Sequence, residues 1–76
     1  MESEFCKLLV EKRKEKHLNK RQTAALMGVT PMYYARFEKG DLIPTKHNLY
    51  LFASFLEMDQ NELWQIIQRE KEKNRL

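Results

Sequence analysis

Apolar positions recur along this chain at helical spacing, and polar positions fill the gaps between them. Phe5, Leu8 and Leu9 give a first segment, about Glu4 to Lys16, an apolar face opposite Lys, Arg and Glu. Basic residues gather towards its carboxyl end, where they suit the helix dipole. Asn19 is a good N-cap for a second helix, with Gln22 at the capping-box position and Ala24, Leu26 and Met27 as the apolar face. Gly28 stands where a left-handed residue closes such a helix. Thr30 caps a third helix and Pro31 fits its first position, where no N–H is needed. Tyr34 and Phe37 should face inward, with Met32, Tyr33, Arg36 and Lys39 on other faces, and Gly40 closes the helix. After the loop Asp41-Leu42-Ile43-Pro44, Thr45 is expected to cap a fourth helix over roughly Lys46 to Glu57. Leu49, Phe52, Ala53 and Leu56 are its buried stripe. Asp59 and Glu62 have the spacing of a capping box for a fifth helix, with Leu63, Ile66 and Ile67 on its core side.

The pattern thus predicts an all-α fold, a compact five-helix bundle. One domain covers residues 1–68, and 69–76 form a charged extension of the fifth helix or a frayed tail. Neither an internal repeat nor a linker divides it. With 76 residues the core is modest, and chains of this size often need a staple or a partner. Cys6 is the single cysteine, so no intrachain disulfide forms. Cys6, His17 and His47 lack the spacing of a zinc site. No cofactor is implied. A free thiol, the lack of a long apolar run and the lack of a signal-peptide pattern suit a soluble intracellular protein with no membrane partner.

Charge adds a direction. The net charge is +3, and Lys7, Lys12, Arg13, Lys14, Lys16, Lys20 and Arg21 crowd the amino-terminal part against four carboxylates. Residues 49–76 hold slightly more acid than base. A charge of this size is weak evidence for nucleic acid by itself; its placement beside the second and third helices says more. The chain has no nucleophile–base–acid order, no phosphate-binding glycine loop and no metal cluster, which argues against an enzyme.

The stretch from Leu18 to Pro44, with Ala24, Gly28-Val29-Thr30 and Phe37-Glu38-Lys39-Gly40, is followed by Pro44-Thr45, Leu49, Ala53, Leu56 and Leu63. In that order and without a gap, residues 5 to 67 or so resemble the lambda-repressor-like helix-turn-helix domain of the Cro/cI (XRE) group. The helix-turn-helix helices would be about 20–27 and 31–38. The resemblance implies a DNA-binding transcriptional regulator whose third helix enters the major groove of double-stranded DNA. It implies an ion pair between Arg13 and Glu38 that fixes the third helix on the bundle; the alternative is two solvated charges of little worth. It makes Lys20, where relatives usually carry glutamine, and the adjacent Arg21 phosphate contacts. Pro31, Met32, Tyr33 and Arg36 become the base-reading positions, with Thr30 beside them in the DNA-binding set and Lys39 and Lys46 holding the backbone. Pro31 has no donor and Met32 offers only an apolar contact, so Arg36 is the best candidate for a bidentate guanine contact. Tyr33 could bond a phosphate or base, or pack in part against the second helix. His17 and Glu57 stand where the family often has glycine, so each must accept an unfavourable conformation or end its helix differently.

The fourth and fifth helices carry more large apolar residues than one inner face needs. Leu51, Phe55, Trp64 and Ile67 are therefore expected at the interface of a twofold homodimer, as in related regulators. Trp64 capping the core is the alternative. The leading expectation is a cytoplasmic repressor of bacterial, phage or mobile-element origin, acting on a palindromic operator. The rival is a protein-binding adaptor on the same fold, an antirepressor, antitoxin-like module or phage inhibitor, with Met32 and Tyr33 or the Trp64 surface meeting a protein partner.

Overall fold

A computed structural model describes residues 3–73. The chain forms α1 (Glu4–Glu15), α2 (Lys20–Met27), α3 (Pro31–Lys39), α4 (Leu49–Leu56) and α5 (Gln60–Lys73), an all-α bundle of the helix-turn-helix type. Its centre is aromatic. The Phe52 ring on α4 meets Phe5 of α1 edge-on at 5.3 Å and Phe37 of α3 at 4.6 Å. Leu9, Ala24, Tyr34, Leu63 and Ile67 close around these rings with no exposed surface. Every one of the five helices thus contributes to one core, and that is what gives α3 a fixed seat.

Local chemistry sets the helix ends. The Ser3 hydroxyl accepts from the Cys6 amide at the start of α1. Asn19 and Gln22 form a reciprocal capping box at the start of α2. Gly28, at φ 75°, ends α2 in the left-handed region, so Val29 N–H can return to Ala24 O. Thr30 then accepts from Tyr33 N–H, and Pro31 opens α3. The turn between the two helices is therefore two residues of fixed geometry rather than a loose link.

Three expectations are corrected. Leu26 does not belong to the inner face of α2; it is 68% exposed, and Thr23, Ala24 and Met27 turn inward. At 100° per residue Leu26 lies well round the helix from Ala24, which sets the face. Second, α4 begins at Leu49, not Lys46. The Asn48 side chain bonds back to Thr45 N–H at 2.8 Å, and residues 46–48 form a turn. An Asn side chain that takes a local backbone donor competes with helix in this way. Third, Asp59 accepts from Asn61 N–H, one residue short of the expected Glu62 partner. Beyond position 68, α5 runs on without a break to Lys73. Glu70 is buried, and its carboxylate accepts from Phe5 N–H at 2.6 Å, tying α5 to the first turn of α1. Positions 74–76 of the expected tail lie outside the described residues.

His17 and Glu57 both sit at φ 58°. The two helices they close end as glycine would end them, with a β-carbon held in the left-handed region.

Candidate nucleic-acid interface

The seat of α3 is built first from charge. Arg13 of α1 donates from Nε to Glu38 Oε2 at 2.7 Å and from Nη2 to Oε1 at 3.3 Å, a two-pronged pair. Its Nη1 donates to Leu18 O in the α1–α2 link. The Tyr34 hydroxyl donates to the same Glu38 oxygen that meets Nε. Only 15% of the Arg13 side chain and 5% of the Glu38 side chain remain exposed, so this is not a solvated surface pair. The hydrogen bond to Glu38 raises the already high Arg13 pKa. Burial first, and the bond to Glu38 second, push the Tyr34 phenol well above the usual tyrosine range. The network locks α1, the link and both turns of α3 into one piece.

What α3 turns outward is mixed. Pro31, Met32, Tyr33, Arg36 and Lys39 are all exposed, Met32 most of all at 83%. The Thr30 hydroxyl is occupied as an acceptor by the helix cap. Tyr33 is held by two contacts. Its ring stands edge-on to Phe37 one turn along α3, at 5.0 Å, and its hydroxyl accepts from Asn48 Nδ2 at 3.2 Å. Lys20 and Arg21 are exposed in the first turn of α2. Lys46, in the turn before α4, has its ammonium 5.6 Å from the centre of the Trp64 ring, and Lys71 approaches the same ring at 5.3 Å.

Two sets of cations differ in their pairing. Lys12 pairs with Glu15 and Glu57, Lys16 with Glu57, and Arg13 with Glu38. The Glu57 carboxyl is held below its ordinary value chiefly by its bond to Lys16, while Lys12 is raised chiefly by Glu15. Among the described residues, no carboxylate pairs with Lys20, Arg21, Arg36, Lys39 or Lys46. The second set keeps its full attraction for an outside anion.

The expected dimer residues separate. Ile67 has 0% exposure and Phe55 8%, so both are spent inside the single chain and offer a second copy almost nothing. Ile67 follows Leu63 by four residues on the inner face of α5, and Phe55 closes beside Met27 of α2. Leu51 and Trp64 are half-buried. Apart from Met32 and Tyr33 on α3, the apolar surface left open lies between α2 and α4, in a groove lined by Leu26, Met27, Tyr50, Leu51, Ser54 and Phe55. Its rim residues Leu26 and Tyr50 are 68% and 56% exposed.

Two residues escaped the sequence reading. Glu70 follows Leu63 by seven and Ile67 by three, a spacing that puts it on the core side of α5 despite its charge. Asn48 stands immediately before the apolar run of α4, an N-cap position in its own right.

No described helix is long and apolar enough to cross a membrane, and no group of metal-ligating side chains is found among the described residues. A family profile described as Helix-turn-helix matches residues 9–62, most of the bundle from α1 to the first turn of α5. The ImmF control region 10 kDa protein of Bacillus phage phi105 is similar to this chain, 34% identical over 56 residues. The similar region is 74% of this chain and 62% of the phage protein, so the chain spans less than two thirds of that relative's length. No solved structure matches it.

Proposed function

The chain belongs to the Cro/cI-type helix-turn-helix family of DNA-binding regulators, and from that premise we propose that it is a sequence-specific repressor working in the cytoplasm. One observation carries the reading: among the described residues the cations on α2, on α3 and in the turn before α4 have no carboxylate partners, while Lys12, Arg13 and Lys16 do. In this reading α3 lies in the major groove. Lys20, Arg21, Lys39 and Lys46 neutralise phosphates. Arg36 reads a guanine edge, Met32 touches a thymine methyl, and Thr30 and Pro31 shape the close approach of the first turn. With so few donors on α3, part of the sequence preference comes from DNA shape. The phage relative is named for a control region, which suits a regulator of phage or bacterial genes. A bound repressor over a promoter excludes polymerase.

The operator is palindromic and the protein binds it as a homodimer, with two α3 helices about one turn, ~34 Å, apart. The second copy covers Tyr50, Leu51 and Leu26 at the uncharged α2–α4 groove, since Ile67 and Phe55 are already enclosed.

A protein-binding adaptor on the same fold is the second reading, favoured by the exposure of Met32 at 83% beside Tyr33. Alanine substitution separates the two. For a DNA reader, Lys20→Ala weakens binding to all duplexes and lowers the salt slope by ~1, while Arg36→Ala costs ~1–3 kcal/mol and relaxes preference at one base position. An adaptor is indifferent to both substitutions.

A further inference from the structure

We propose that Asn48 is a positioning residue of the DNA interface: it holds the Tyr33 oxygen as an acceptor and so reserves the hydroxyl hydrogen for a DNA phosphate oxygen. This rests on the DNA-reading role proposed above and adds a residue and a bond direction to it.

The direction follows from a chain of donors. The Thr45 amide can only donate, so the Asn48 atom 2.8 Å from it is the amide oxygen. The Asn48 nitrogen is then the atom 3.2 Å from the Tyr33 oxygen. An amide NH2 can only donate, so the tyrosine oxygen accepts. A phenol carries one hydrogen, and Tyr33 donates it to no acceptor among the described residues. The ring does not swing freely, because its face is braced edge-on to Phe37 at 5.0 Å and 81°. A donor in a fixed place, on a side chain 38% exposed, is thus left without an acceptor.

A phosphate fits this donor better than a base edge. Met32 and Arg36 lie one turn apart on one side of α3 and are both exposed. Tyr33 lies about 100° round the helix from Met32, on the side of Phe37 and the turn before α4. It therefore flanks the outward side rather than heading it, and Lys46 is carried on the same turn as Asn48. Flanking donors beside cations are where backbone contacts gather.

A double-substitution cycle on the full chain tests this, with affinity measured for a duplex selected by the wild type. In the wild-type background Tyr33→Phe should weaken binding about tenfold, the scale of one hydrogen bond to a charged group. The loss should be the same for selected and unrelated duplexes, and the salt slope should stay unchanged because no cation is removed. Asn48→Asp keeps an oxygen for the Thr45 amide but offers Tyr33 a second one, which captures the hydroxyl hydrogen. In that background Tyr33→Phe should cost under about twofold, the coupling expected of residues acting as a unit. If a thermal melt shows Asn48→Asp unfolded, Asn48→Ala serves, since it removes the brace and should also shrink the cost. Equal costs in both backgrounds, or no cost in the wild type, overturn the role of Asn48. A wild type that selects no duplex overturns the DNA reading before any variant is made, and this proposal with it.

Discussion

Arg13 and Glu38 show how much one pair of side chains decides here. Both lie in contact with Tyr34, and both are largely withdrawn from water. Removing one partner leaves the other charge buried and unpaired, which costs ~3 kcal/mol or more. Arg13→Ala should therefore lower the melting temperature by about 15 °C for a domain of this size, and a change under a few degrees would contradict the buried pair. Tyr34 adds a pH dependence of definite sign. Its phenol is raised in the folded chain, by burial first and Glu38 second. Its contribution is whole below about pH 10, where the tyrosine of the unfolded chain is still protonated. Above that pH the unfolded chain ionises first, and stability falls by up to ~1.4 kcal/mol per pH unit until the folded value is reached. Denaturant midpoints between pH 9 and 11 should fall more steeply for the wild type than for Tyr34→Phe; parallel curves would remove Tyr34 from the account. The positions of these residues were legible in the sequence by resemblance, but their burial was not. Nothing in the spacing of Arg13, Tyr34 and Glu38 says that α1, α3 and the link after α1 converge to shut out water.

At the scale of elements, caps were readable and faces were less so. Asn19-Gln22, Thr30-Pro31, Gly28 and Gly40 act through neighbours one turn away, so sequence alone carries their geometry. Leu26, Phe55 and Glu70 depend on what packs against them. Leu26 is apolar and exposed, on the open rim of the α2–α4 groove, and Glu70 is charged and buried, because α1 needs an acceptor at its first turn. The start of α4 also depends on tertiary contacts: the Asn48 side chain is engaged by Thr45 and Tyr33 and makes no capping bond to the helix. Two helix ends carry strain that sequence comparison alone would flag as odd. With His17 at φ 58°, His17→Gly should relieve ~1 kcal/mol and raise the melting temperature by about 5 °C. Glu57→Gly at the same φ should gain less, because Glu57 also meets Lys16 at 3.1 Å and Lys12 at 3.6 Å. Equal gains at both sites would mean that those two contacts contribute nothing.

For the whole molecule, the fold leaves two kinds of open surface. One is basic and lacks carboxylate partners among the described residues, spread over α2, α3 and the turn before α4. The other is apolar and uncharged, between α2 and α4. A dimer that reads DNA uses both at once, which is the proposed division of labour. Tyr50→Glu would put a charge into the second surface without touching the first. It should convert a dimeric sedimentation profile to a monomeric one, and an unchanged profile would place the interface elsewhere. The central claim, that this chain reads DNA sequence, is tested most directly by selecting bound duplexes from a random pool at about 150 mM salt, where charge-driven nonspecific binding is suppressed. One enriched palindrome is expected, with half-sites about one helical turn apart. A folded protein that enriches no sequence would contradict it and leave the Met32 and Tyr33 surface to a protein partner.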